Sequence, residues 1–273
     1  MTDIKMSQRP KRRRMSLNVM IPNMLTLLAL CSGLTAVRFA YEGRWEHAAL
    51  GILAAAILDA LDGRIARLLK GTSKFGAELD SLSDMICFGV APGLMLYFWS
   101  LQTIGRFGWI LVLLYAVACV LRLARFNTAI EGPEPPAWTS TFFTGVPAPA
   151  AAGLVLLPMI ISFNLFEAYV RRPEVVGVFM VLVSFLMVSS IPTYSFKKVK
   201  LRPSLILPLM VAVGLIIASM LSAPWVTLSG LLAAYLVSIP LAMRSFRATR
   251  DRTALHGEEE AEDDTPVDLD LNG

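Results

Sequence analysis

Charge is scarce in this 273-residue chain: Asp, Glu, Lys and Arg make up 17% of it, against 55% hydrophobic residues and a mean hydropathy of +0.60. A soluble domain carries more charge and shorter apolar runs, so the composition excludes water as the bulk solvent. Cysteine is nearly absent. Cys31, Cys87 and Cys119 lie inside apolar stretches without C-x-x-C spacing, which leaves them as small reduced core residues rather than a disulfide framework or thiolate metal site. The two histidines are isolated, His47 at the entrance of an apolar run and His256 in a polar tail, and neither supports zinc. No internal repeat and no second soluble domain are visible. The pI of 9.1 would suit nucleic acid, but the basic residues form short clusters between apolar runs and no continuous face, so no nucleic-acid partner is expected.

What the chain has instead is apolar length. Runs near 18–40, 46–69, 77–100, 106–128, 145–164, 174–191, 204–222 and 224–246 approach the ~20 residues that a helical span requires. The expected fold is therefore all-α, a polytopic membrane helix bundle of about eight spans, the last two forming a tight hairpin across Ser222-Ala223-Pro224. Arg9 and Lys11 to Arg14 before the first run resemble a signal peptide. That run is too long for an h-region and others follow it, so it reads as a retained anchor. With the N-terminus in the cytoplasm, 20 of the 25 Lys and Arg fall on that side, leaving Arg38, Arg44, Arg106, Arg171 and Arg172 opposite. This obeys the positive-inside rule with both termini cytoplasmic in a multi-pass protein of the inner (cytoplasmic) membrane. Three segments follow: a basic cytoplasmic N-tail, 1–17; a membrane domain, 18–246; and an acidic C-tail, 247–273, without apolar periodicity and expected to be disordered.

The second and third runs contain what lipid should exclude. Asp59, Asp62, Asp80 and Asp84 fall within 26 residues, and each carboxylate in a span costs at least ~2.5–3.5 kcal/mol. Asp59 and Asp62 are i, i+3, and Asp80 and Asp84 are i, i+4, so each pair projects from one helical face. The stretch Gly71 to Gly76 can turn the chain and bring the pairs together. Four converging carboxylates without histidine or thiolate make a hard-oxygen site for Mg²⁺, Mn²⁺ or Ca²⁺, with charge enough for two ions. Gly63 and Ala66 leave the helix surface bare beside them, Arg67 suits phosphate oxygens, and Ser73 can donate a hydrogen bond. That combination describes a pyrophosphate site at the membrane surface. From spacing alone, an acid–base network locking two helices, or an ion pathway, stays open.

The pattern Asp59-x2-Asp62-Gly63-x2-Ala66-Arg67-x8-Gly76-x3-Asp80-x3-Asp84 resembles, without deviation, the signature of the CDP-alcohol phosphatidyltransferase family. Pro22 to Leu28, Leu121-Arg122-Leu123-Ala124-Arg125-Phe126-Asn127, Gly145 to Ala152 and Pro192 to Lys198 look like its phosphatidylserine synthase branch, over about residues 15–245. The resemblance implies a six-helix family core with two further C-terminal spans at its periphery, and a homodimer. It implies membrane phospholipid synthesis, joining CDP-diacylglycerol and L-serine into phosphatidylserine and CMP with Mg²⁺ or Mn²⁺, on the cytoplasmic side. Asp59, Asp62, Asp80 and Asp84 would be metal ligands, with Asp84 also the general base. Asn23, Thr26, Gly63, Ala66, Arg67, Ser73 and Gly76 would bind CDP-diacylglycerol.

Serine's carboxylate needs a cation. Arg122 with Arg125, and Lys197 with Lys198, are the candidates; the competing reading makes both clusters topological anchors that snorkel to headgroups. A sister transferase acting on glycerol 3-phosphate, an inositol phosphate or choline would share the metal site. A cation transporter could also carry intramembrane acids, but it would not need Gly63, Ala66 and Gly76 at fixed spacing.

Overall fold

The computed structural model describes residues 17–130, 142–189, 192–194 and 206–263. It is a helical bundle, and a helix lies in each of the eight apolar runs. Helix α1 (Leu17–Tyr41) and α2 (Trp45–Leu68) form an antiparallel pair, reversed at Gly43, whose φ of 75° suits a residue without Cβ. They approach closely through small residues. A Cβ on Gly51 would stand 2.8 Å from the Cβ of Ala36, and the Ser32 hydroxyl donates to the Gly51 carbonyl at 2.8 Å.

After a turn at Lys70 and Gly71, α3 (Lys74–Asp84) runs through a π-helical turn (Met85–Val90) into α4 (Ala91–Trp99). Helix α5 (Arg106–Ile130) returns. Strand β1 (Phe142–Thr144) precedes α6 (Ala148–Ser162), short α7 (Glu167–Val170) and α8 (Pro173–Val188). Strand β2 (Pro192–Tyr194) pairs antiparallel with β1, Phe142 opposite Tyr194. This three-residue ribbon is the one departure from the all-α expectation among the described residues. Helix α9 (Ile206–Ser222) and α10 (Pro224–Asp263) complete the chain, reversing at Ala223 as expected.

Helix α6 is the axis of the bundle, with Leu154 to Ile160 all buried. It packs between α8 and α10, while Val112, Tyr115 and Cys119 of α5 face Gly89 and Gly93 of the π-helical turn and α4. Among the described residues, four helical stretches are long and apolar enough to cross a membrane: Val19–Tyr41, Lys74–Trp99, Arg106–Thr128 and Pro224–Met243. Ala148–Ser162, Pro173–Val188 and Ile206–Ser222 are apolar but shorter. Helix α2 has the length, but its last three turns carry Asp59, Asp62, Arg64 and Arg67. A chain with several such helices is a multi-pass membrane protein.

Two expectations change at the C-terminus. The last two helices are not both peripheral. No residue of α9 is buried, but α10 packs on α6: Leu232 lies against Gly153, Trp225 meets Phe163 edge-to-face with ring centroids 4.8 Å apart, and Ile239 and Ala242 are buried. The boundary at 246 also falls inside a helix, since α10 continues to Asp263. Polarity suggests disorder, but Glu, Ala and Arg supply ten of the 17 residues of 247–263 and are strong helix formers whether or not they are buried. Residues 264–273 and 1–16 lie outside the described residues.

Candidate active site

The C-terminal half of α2 and the whole of α3 carry the acids toward each other. Carboxylate oxygens of Asp59, Asp62 and Asp80 all lie within 4.8 Å of one another. Asp84, one turn beyond Asp80, meets Asp59 but stands outside that group of three. Asp62 is buried and the others half-buried. Two unit charges this close repel by roughly 3 kcal/mol at an effective dielectric of about 20, so the cluster demands a counter-charge. No ion pair supplies it among the described residues, where the pairs are Arg38 and Arg44 with Glu42, and Arg171 with Glu167, all remote from the acids. Asp80 Oδ1 is buried without a hydrogen-bond partner. A buried acceptor left unpaired is costly unless something not made of protein engages it. The donor set is oxygen alone, so these residues fit a hard divalent cation, and Asp59, Asp62 and Asp80 could hold one.

Helix α1 fixes the acids from the side. The Thr26 hydroxyl donates to Asp62 Oδ2 at 2.6 Å, within a pair of buried residues. The same hydroxyl is 3.1 Å from the Pro22 carbonyl, and having one proton it favours the shorter, charge-assisted contact. Ser83, between Asp80 and Asp84, donates to the Thr26 carbonyl at 3.3 Å, and the Cys87 thiol to that of Ala29 at 3.4 Å.

The small residues of the motif divide into two kinds. A Cβ built on Gly63 meets nothing within 4 Å, so the surface beside Asp62 is open and no packing demand explains the glycine. Ala66 is half-buried one turn on, and Arg67 is exposed at the end of α2. Gly76 is different: a Cβ there would stand 2.8 Å from Asn23 Oδ1 and 3.1 Å from Ser73 Oγ. Ser73 is the N-cap of α3, its oxygen accepting from the Gly76 N–H at 3.0 Å. Asn23, Ser73 and Gly76 thus come together where α3 begins, and the cap leaves Ser73's own proton available.

The serine-site candidates are placed unevenly. Arg122, 8% exposed, donates from Nε to the Val146 carbonyl, so it does not snorkel outward. Arg125 gives its fork to the end of α8, bonding the Val188 and Ser189 carbonyls at 2.9 Å each. This caps orphan carbonyls at a helix C-terminus, a structural task the sequence reading did not foresee. Lys197 and Lys198 lie outside the described residues.

Two residues that sequence reasoning gave no role also reach this region. Asn127 Nδ2 donates to Ser81 Oγ at 2.9 Å, and the Tyr115 hydroxyl to the Phe88 carbonyl at 2.8 Å. Pro92 was a legible signal for the second. It has no N–H for the carbonyl four residues back, so a donor was needed, although its identity was not readable.

Comparison with known proteins bears on this geometry directly. A family model described as CDP-alcohol phosphatidyltransferase matches residues 19–189, and one described as CDP-alcohol phosphatidyltransferase 2 matches 204–240. The CDP-diacylglycerol–serine O-phosphatidyltransferase of Mycobacterium bovis is 39% identical over 236 residues, covering 86% of this chain and 82% of that protein. The protein of the same name from Helicobacter pylori is 36% identical over 204 residues, covering 75% and 84%. The archaetidylserine synthase of Methanothermobacter thermautotrophicus is 36% identical over 177 residues, covering 63% and 69%. The first match spans every residue of the acidic site and α5 behind it, and the chain belongs to the CDP-alcohol phosphatidyltransferase family.

Proposed function

We propose that this chain transfers the phosphatidyl group of CDP-diacylglycerol to L-serine, giving phosphatidylserine and CMP. The observation that carries the reading is the group of three carboxylates within 4.8 Å on two facing helices, with the open face of Gly63 beside it. The names of the relatives above favour serine as acceptor.

In this reading Asp59, Asp62 and Asp80 hold Mg²⁺ or Mn²⁺, with Asp84 adding a ligand, and the charge suits two ions. The bound cations supply neutralisation of the diphosphate and stabilisation of the departing CMP. Arg67 and the hydroxyl of Ser73 bind phosphate oxygens, and the nucleotide-lipid lies against Gly63 and Ala66 with Asn23 and Thr26 nearby. The serine hydroxyl oxygen attacks phosphorus, the bond from phosphorus to the CMP oxygen breaks, and Asp84 accepts the hydroxyl proton. Arg122 pairs with the serine carboxylate, its Nε held by Val146 so that the remaining N–H groups are aimed. Both termini, with the polar end of α10, lie in the cytoplasm in an eight-span arrangement of the inner membrane, and the working unit is a homodimer. The acyl chains stay in the bilayer while the nucleotide faces water.

The test is CMP release by the purified full-length protein from CDP-diacylglycerol with Mg²⁺ or Mn²⁺, offering L-serine, glycerol 3-phosphate, inositol phosphate and choline separately. Release with L-serine alone supports the reading. Release only with another acceptor keeps the metal chemistry and refutes serine.

A further inference from the structure

Helix α5 grips the helix that carries Asp84 on both sides of that residue. Three residues before it, Ser81 Oγ accepts from Asn127 Nδ2 at 2.9 Å; four residues after it, the Phe88 carbonyl accepts from the Tyr115 hydroxyl at 2.8 Å. Between these points the α-helical ladder is interrupted by the π-helical turn Met85–Val90, where the Ala91 N–H reaches back five residues to Ile86. A π-helical turn inside a helix is uncommon and is found frequently at functional sites. Pro92 removes the N–H that an α-helix would send to Phe88, and the wholly buried Tyr115 phenol supplies the donor instead.

The seat is close. A Cβ on Gly89 would stand 3.0 Å from the Cβ and Sγ of Cys119, and one on Gly93 3.2 Å from Val112. Helix α5 therefore bears on the backbone of the turn itself, so a shift in that turn moves Asp84 relative to Asp59 on α2.

We propose that Tyr115 and Asn127 are positioning residues for the metal site, holding the turn so that Asp84 and Asp80 face Asp59. Neither touches substrate; both act through the helix. The inference rests on the acidic cluster being the metal site of the proposed reaction, and it holds whichever acceptor is used.

The experiment compares full-length Tyr115→Phe, Asn127→Ala and Ser100→Ala with the unaltered protein in one detergent. Mn²⁺ affinity is read without substrate by paramagnetic resonance, alongside kcat, KM for CDP-diacylglycerol and Tm. Ser100→Ala is the control, removing a 2.6 Å hydrogen bond from a buried serine to the Arg171 carbonyl, away from the acids. Loss of one buried hydrogen bond should weaken Mn²⁺ binding and lower kcat roughly fivefold in Tyr115→Phe and Asn127→Ala, with KM within about twofold. The control should lose Tm alone. Mn²⁺ affinity and kcat equal to the unaltered protein in both variants would overturn the inference, as would an equal loss of Mn²⁺ affinity in the control. Should Tyr115→Phe fail to fold, Asn127→Ala decides by the same readings. If the unaltered protein binds Mn²⁺ but releases no CMP with any acceptor, the proposed function fails while the Mn²⁺ titration still judges the positioning.

Discussion

Gly63→Ala should raise stability and lower activity at once. In the protein alone a methyl at position 63 meets nothing within 4 Å, so it creates no clash. Glycine inside a helix costs about 0.5–1 kcal/mol relative to alanine, and the substitution recovers that amount. The lipid nucleotide, in contrast, needs the space beside Asp62. Forcing a methyl into a close contact costs about 1–3 kcal/mol, which corresponds to a loss of roughly 5- to 160-fold in kcat/KM for CDP-diacylglycerol. Gly76→Ala is the informative partner, because its Cβ would press on Asn23 Oδ1 at 2.8 Å, and it should lose stability before any ligand is added. Thermal unfolding in detergent and CMP-release kinetics on both variants make the assay. A Gly63→Ala protein with kcat/KM within twofold of the unaltered one would refute the idea that this bare surface is reserved for substrate.

Other expectations concern charge and capping. Asp80→Asn removes one of the mutually repelling carboxylates, so in chelator its Tm should equal or exceed that of the unaltered protein, while the rise in Tm on adding Mn²⁺ is lost. In the unaltered protein, Mn²⁺ at a hundred times its Kd should stabilise by about 2.7 kcal/mol, and chelation should abolish turnover reversibly. Arg125→Ala uncaps two α8 carbonyls and should cost about 1–3 kcal/mol in unfolding experiments. Arg122→Ala should instead raise KM for L-serine at least about tenfold; a flat serine response would leave it with its bond to Val146 alone.

The parts of this protein visible in the sequence are those governed by local pattern. A helix lies in each of the eight apolar runs, four of them long and apolar enough to cross a membrane among the described residues, and Asp59, Asp62, Asp80 and Asp84 stand out as charges that lipid resists. The rest depended on partners far along the chain. Gly63 and Gly76 are the same letter in one motif, yet only the position of Asn23 on α1 makes the second a packing glycine. Arg125 read as a free cation because the carbonyls it caps lie more than 60 residues away, on a helix end that no periodicity locates. Ile206–Ser222 of α9 and Pro224–Met243 of α10 are both apolar stretches, and the contact of Leu232 with Gly153 is what tells the packed one from the exposed one.

That difference has a consequence for α9. Since none of its side chains is buried among the described residues, it adds no interior contact to the bundle beyond its neighbour in sequence. Its service is that of a spacer, returning the chain across a fixed distance so that Trp225 can meet Phe163. A spacer is defined by how far it reaches and how well lipid wets it. The stretch from Ile206 to Ser222 should therefore accept wholesale exchange for another apolar helix of equal length, and fail when a single turn is removed.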